Sequence, residues 1–388
     1  MTDLTPDLAP DLAPDLAPDL APDLAPDLAS TWRRTRPPRT LRHLDAAAAG
    51  RSSWAVLDAV GGHLRAEATR GAYVAALEAE AVLEPAREHV RALLGFAPGE
   101  GLVAFVHSAE DALRQVLLRW PGERPVAVAH PRGEYGPNLA VLSTLGIGTR
   151  VLDGPHRWDP GAVARSLARP GGRPDLVHLT WLGSHVGTVQ PVADVLAVCR
   201  AADVPVVLDA AQAFGHVDTT AARAADVVYG TSRKWLAGPR GVGFVAVRGP
   251  LAQRVGPLEQ AEATVAGRLG FAAALAEHVD LGPAAVHAGL AAVGAATRRR
   301  LADGLAGSWE VREPLDEPSA TVTLRPLQAL DVAGLRADLI ATDGIVTTAC
   351  GTERAPLEMT GPVLRVSGHL DTTAEDLQAL VTALLGRS

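Results

Sequence analysis

A lysine among hydroxyls and an arginine, in Gly230-Thr231-Ser232-Arg233-Lys234-Trp235, lies 25 residues after an acid that closes the apolar run Val206-Val207-Leu208-Asp209. A deprotonated lysine amine attacks carbonyl carbon, and an acid at the end of a buried strand sits where open α/β sheets place their ligands. Together the two residues meet the needs of pyridoxal phosphate: an amine for a Schiff base, and a carboxylate that keeps the pyridine nitrogen protonated so that the ring accepts electrons. Lys234 and Asp209 fit those posts. Asp209 could otherwise serve as a plain helix cap. Gln212, three residues further on, would turn its amide toward the phenolic oxygen of the ring, and Thr231 and Arg233 would hold phosphate.

Other strand ends carry further candidates. In Val106-His107-Ser108-Ala109-Glu110, Ser108 and Ala109 would cradle phosphate at a helix N-terminus, where backbone amides point outward; the charge of Glu110 is the discordant element. Tyr135 could stack on a flat pyridine ring or simply cap the core. Ser184 and His185 face the same rim, with His185 either orienting substrate or incidental to it. Arg365 stands inside the apolar strand Val363-Leu364-Arg365-Val366. A buried guanidinium there would take a substrate carboxylate or pair with an internal acid. Gly238, Gly241 and Gly243 resemble part of a dinucleotide fingerprint, but without the strand-Gly-helix order they read as a turn that lets Lys234 approach the cofactor.

The elements that must position these residues follow from patterning. At 388 residues with 47% apolar content, the chain can bury two domains. Strands are expected at Leu102–Val106, Val126–Ala129, Thr149–Leu152, Leu176–Leu179, Val204–Asp209, Val227–Tyr229 and Gly243–Val247, alternating with helices at Glu110–Arg119, Pro137–Leu145, Asp159–Ala168 and Val192–Ala202. This is the signature of a parallel sheet covered by helices, so the fold class is α/β with a seven-stranded, mostly parallel sheet. Past Pro250 a long Ala-rich helical tract runs to Leu305, and strands at Ala320–Leu324 and Val363–Val366 with helices at Val332–Ala341 and Thr373–Leu385 indicate a smaller α+β domain. The expected organisation is a tail over 1–30, an arm over 31–55 resting on the small domain, a large domain over 56–264 and the small domain over 265–388. In the tail, Pro-Asp-Leu-Ala occurs six times in tandem between Pro6 and Ala29. Proline at every fourth position opposes regular helix, so the tail is expected to be disordered.

A net charge of −8 argues against nucleic acid as a partner. No window is long and apolar enough for a membrane span, and no signal-peptide plan opens the chain, so a cytoplasmic protein is expected. Two cysteines, Cys199 and Cys350, make neither a disulfide framework nor a zinc spacing, and no metal site is expected.

Asp209-Ala-Ala-Gln212 with Thr231-Ser-Arg-Lys234 and Arg365-Val-Ser367 resembles the class V aminotransferase and cysteine desulfurase group of fold-type I pyridoxal-phosphate enzymes. The resemblance covers nearly everything from Thr31 onward. Within that group, Glu134-Tyr-Gly-Pro-Asn138, Ser232 to Gly243 and Gly344-Ile-Val-Thr-Thr-Ala-Cys350 look like the carbon–sulfur lyases of ergothioneine biosynthesis. The resemblance implies cleavage of hercynylcysteine sulfoxide to ergothioneine, pyruvate and ammonia. It also implies a homodimer whose sites are completed across subunits, with Thr264 or Arg268 as candidates for that contribution. Cysteine desulfurase is the nearest rival, and Cys350 the residue that tests it. An aminotransferase is the second.

Overall fold

The computed structural model describes residues 26–122, 127–169, 173–255, 258–260 and 262–387. Seven strands form one sheet: β1 (Leu102–Val106), β2 (Ala127–His130), β3 (Gly148–Val151), β4 (Leu176–Thr180), β5 (Val206–Asp209), β6 (Val227–Thr231) and β7 (Gly243–Val247). Their spatial order is β1-β7-β6-β5-β4-β2-β3, and only β7 runs against its neighbours. The inner strands are mostly apolar at successive positions because both faces are covered, whereas the edge strand β3, Gly-Thr-Arg-Val, is largely exposed. Val206 and Leu208 enter a core with Phe105, Phe214 and Phe244, whereas Val207 enters the opposite one with Val227 and Tyr229. Helices Ala109–Leu118, Gly136–Thr144, Pro160–Leu167 and Val192–Ala201 follow β1 to β4 in turn. The expected start of the second strand, Val126, lies outside the described residues.

The Ala-rich tract breaks into helices Val265–Asp280 and Pro283–Gly304, bent by 87°. The break falls at Gly282, whose φ is 81°, followed by Pro283 at the first helical turn, where its missing N–H costs nothing. The first of these helices, expected in the small domain, packs instead with the large one. Phe271, Ala272 and Leu275 join the large-domain core, with Phe271 edge-on to Phe105 at 5.5 Å. The small domain is an antiparallel sheet of β8 (Trp309–Val311), β9 (Thr321–Pro326), β10 (Thr348–Cys350) and β11 (Val363–Ser367), in the order β10-β11-β9-β8. The three-residue strands β8 and β10 are too short to show period-2 patterning, and the sequence reading passes over them.

The arm reaches both domains. Arg42–His43 pairs in parallel with Ile345–Val346, and Leu44 is buried in the small-domain core. A few residues later, the Gly50 amide donates to the Arg233 carbonyl at 2.7 Å. Of the expected disordered tail, residues 1–25 lie outside the described residues, but the last repeat opens the helix Pro26–Arg34. Proline is tolerated in that first turn, and Trp32, 3% exposed and covered by the Arg36 guanidinium at 3.0 Å, anchors the helix.

Candidate active site

The carboxyl ends of β1, β4, β5 and β6 open on a cavity of about 220 Å³, walled by Ser108, Tyr135, Ser184, Asp209, Thr231 and Lys234 among others. Lys234 is the single lysine in a chain of 36 basic residues. That count, legible in the sequence, marks it more sharply than its neighbours do. Its loop is pinned on two sides. Trp235, 1% exposed, stacks on His216 at 3.6 Å, its Nε1 donates to Gln212 Oε1 at 3.0 Å, and the Gly50 amide also donates to the Lys234 carbonyl at 3.2 Å. Ala237 and Gly241 turn the chain with φ of 56° and 80°, and β7 then passes so close to β1 that a Cβ on Gly243 would lie 2.8 Å from the Ser108 carbonyl carbon. The glycines thus form a turn and a close backbone approach.

Burial pushes the Lys234 amine down, the Asp209 carboxylate opposes that shift, and the guanidinia of Arg233, Arg365 and Arg354 add to it, leaving a pKa of about 7. An ordinary lysine would be protonated there almost completely. Asp209 ends β5, with Oδ1 accepting from the Ala211 amide at 2.8 Å and Oδ2 from Asn138 Nδ2 at 3.0 Å. A buried carboxylate beside a buried amine suits a bound pyridinium, and a lone nearly neutral lysine suits an aldehyde. The helix Ala109–Leu118 begins at the cavity wall with Ser108 as its cap, Oγ accepting from the Asp111 amide at 3.0 Å. Its first-turn amides can receive a phosphate. Glu110 also lines the wall, so the discord noted from the sequence stands in the structure. These residues fit pyridoxal phosphate.

Other candidates are placed differently from expectation. Gln212 lines the cavity, but its Nε2 donates to the Ala47 carbonyl at 3.0 Å and its Oε1 is taken by Trp235. The amide therefore fastens arm and lysine loop together, with one N–H left over for a ligand. The Arg233 guanidinium hydrogen-bonds the Ala48 carbonyl. The Tyr135 hydroxyl accepts from Arg354 Nη1 at 3.3 Å.

His185 is on the other side of its turn. Ser184 lines the lysine cavity, whereas His185 opens on a separate cavity of about 510 Å³ with Nε2 2.9 Å from Glu358 Oε1. His156 Nδ1 lies 2.6 Å from the same oxygen. The role expected of His185 at the lysine therefore fails on geometry. Arg365 makes the ion pair that its alternative reading allowed, with Nη2 3.3 Å from Asp45 of the arm, while Nη1 donates to the Ser184 carbonyl at 2.7 Å. Its Nε and the Ser184 hydroxyl are buried without partners. Thr264 caps its own helix and Arg268 pairs with Glu259 at 3.2 Å, so both side chains are engaged within the chain.

Sequence reasoning passed over Asn138, which donates to Asp209, and the buried Glu134, His178, Thr180 and Tyr229 that are hydrogen-bonded in series behind it. Glu134 and Asn138 are four apart at a helix start, and His178 and Thr180 interrupt an apolar strand at period 2. Those spacings were legible signals.

The family model for aminotransferase class V matches residues 42–266. The chain belongs to the class V aminotransferase family. Its cofactor is pyridoxal phosphate. Over 374 residues it is 46% identical to a probable hercynylcysteine sulfoxide lyase of Mycobacterium tuberculosis (strain CDC 1551 / Oshkosh), covering 91% of this chain and 92% of that one. It is 27% identical to isopenicillin N epimerase of Streptomyces clavuligerus, over 79% of this chain and 85% of the relative. Among solved structures, the cystine C–S lyase C-DES in complex with cysteine persulfide superposes with a TM-score of 0.76 at 18% identity, over 89% of this chain and 97% of that one. An apo cysteine desulfurase from Thermococcus onnurineus NA1 gives 0.76 at 16%, over 92% and 96%. This class V enzyme is therefore similar in sequence to a carbon–sulfur lyase and shares its fold with lyases and desulfurases.

Proposed function

We propose that this enzyme is a β-lyase that cleaves the carbon–sulfur bond of hercynylcysteine sulfoxide. The observation that carries the reading is the pairing of Lys234 with Asp209 across a buried cavity, in a chain 46% identical to a probable lyase of that substrate. When bound, pyridoxal phosphate supplies an electron sink that weakens the bonds around the α-carbon of an attached amino acid. Asp209 holds the negative charge that keeps a proton on the ring nitrogen. Thr231 and the amides after Ser108 bind phosphate. The unpartnered Nε of Arg365 and hydroxyl of Ser184 receive the substrate α-carboxylate, which relieves two buried unsatisfied groups at once. Lys234 Nζ, near neutrality at working pH, takes the α-proton. Loss of the sulfur substituent as a sulfenate, hydrolysis of the three-carbon remainder to pyruvate and ammonia, and reduction of the sulfenate by two equivalents of an external thiol, which leave as a disulfide with water, account for ergothioneine, pyruvate and ammonia.

Cys350 favours the lyase over a desulfurase. A persulfide-forming cysteine needs an accessible thiolate, yet Cys350 is fully buried in β10, its Sγ directed to the Ser184 carbonyl at 3.6 Å, and burial raises its pKa. Purified holoenzyme given hercynylcysteine sulfoxide should release pyruvate, while cysteine should release little sulfide. Sulfide from cysteine that disappears in Cys350→Ala would establish the desulfurase instead.

We also propose that the enzyme is a homodimer. Tyr73 and Leu77, 87% and 77% exposed, lie four residues apart on one face of the helix Ala72–Leu93, with the half-exposed Val74 beside them. An apolar face of that kind calls for a partner surface, and a second copy supplies it.

A further inference from the structure

A set of buried polar side chains runs from Asp209 into the large-domain core and takes no direct part in the chemistry above. Glu134 Oε1 accepts from the Tyr135 amide at 2.9 Å, from Asn138 Nδ2 at 2.9 Å and from Thr180 Oγ1 at 2.7 Å. Its Oε2 lies 2.9 Å from His178 Nδ1, and His178 Nε2 lies 2.8 Å from the Tyr229 hydroxyl. Glu134, His178 and Tyr229 are each 0% exposed. Asn138 closes the circuit by donating to Asp209 Oδ2 at 3.0 Å.

Counting donors assigns the protons. Three donors converge on Glu134 Oε1 and, with His178 beside Oε2, outweigh burial and hold the carboxyl in its anionic form, with a pKa of about 2; a carboxylate with no solvent requires a counter-charge. His178 is the ionisable base in contact with it. As an imidazolium, His178 donates from both nitrogens, Nδ1–H to Glu134 and Nε2–H to the Tyr229 oxygen. The Tyr229 O–H is thereby freed from His178, and the carboxylate on its own sheet face is Asp209, the residue paired with Tyr229 across β5 and β6. Were His178 neutral with its proton on Nδ1, Tyr229 would have to donate to Nε2, and Asp209 would lose that donor.

We propose that Glu134, His178 and Tyr229 are positioning residues that deliver an oriented hydrogen bond to Asp209 and so fix how firmly the cofactor ring nitrogen keeps its proton. The inference rests on the reading of Asp209 as partner of that nitrogen. Donors on Asp209 hold it as an anion, so the shared proton stays on the ring. Without them the proton moves toward Asp209, and the ring draws less charge from the nitrogen joined to Lys234. That nitrogen then keeps its own proton to higher pH.

The test is the pH titration of the visible absorption band in holoenzyme, comparing wild type with Tyr229→Phe, which keeps the ring in place, and with His178→Asn. Both variants are expected to move the midpoint upward by roughly one pH unit, the size of one hydrogen bond to a charged group. Glu134→Gln should move it the same way, with loss of the His178 imidazolium ¹⁵N signals. If Tyr229→Phe and His178→Asn melt as wild type does and leave the midpoint unmoved, the relay is structural only and the inference is overturned. A wild type that takes up pyridoxal phosphate but shows no titrating band also overturns it. Failure of the wild type to bind the cofactor at all would overturn the reading of the site along with it.

Discussion

Lys234 is the residue at which pH acts first. With its pKa lowered to about 7, the fraction of neutral amine rises as pH rises through 7, so covalent capture of pyridoxal phosphate by the apoprotein should accelerate up to about pH 8 and then level off. An ordinary lysine would still be less than about 1% neutral there. Stopped-flow absorbance across pH 6 to 10 checks this, and capture that keeps rising toward pH 10 would refute the shift. The same shift has a stability sign. Between about pH 7 and 10 the unfolded chain binds the Lys234 proton and the folded chain does not, so apoprotein stability should rise with pH in that window, by up to about 1.4 kcal/mol per unit from this group. Lys234→Met should flatten the slope in urea titrations. At this scale the sequence was most informative where one residue type does one job: lysine and aspartate at strand ends are covalent and electrostatic necessities. It was least informative for Gln212, Arg365 and His185. Their roles depend on what the arm and the loop before β11 bring near, and no local spacing encodes a partner more than 100 residues away.

At the scale of elements, the arm is what holds the lysine loop. A Cβ on Gly50 would lie 2.4 Å from the Lys234 carbonyl oxygen and 2.8 Å from Ala237 Cβ. Neither backbone nor a buried alanine can give way cheaply. Gly50→Ala should therefore cost about 1–3 kcal/mol of stability and weaken cofactor binding; an unchanged melting temperature together with unchanged pyridoxal phosphate affinity would show that the arm does not brace the loop. The inner large-domain strands were readable because a sheet covered on both faces imposes apolar runs; the exposed edge strand β3 was placed by its β-branched residues between turn signals. Helix Val265–Asp280 was misassigned for a related reason. Its Ala-rich composition matches the next helix, and only the packing of Phe271 on Phe105 decides which domain it serves. The helix at Pro26–Arg34 eluded a reading based on proline content because Trp32 supplies the tertiary anchor.

At the scale of the whole molecule, the exposed face carrying Tyr73 and Leu77 predicts a dimer in solution. Leu77→Glu should convert it to monomer by light scattering, and a wild type already monomeric at micromolar concentration would contradict the proposal. Cys350→Ala should retain most lyase activity, since its buried thiol is not positioned as a nucleophile. The central claim, that Lys234 carries the cofactor opposite Asp209, is open to one direct measurement. Because the chain holds a single lysine, borohydride reduction of the purified holoenzyme followed by peptide mass spectrometry has an unambiguous reading. The account predicts one phosphopyridoxyl group, on the peptide containing Lys234. A protein with no such mass on that peptide, or with the label on its terminal amine alone, would contradict it.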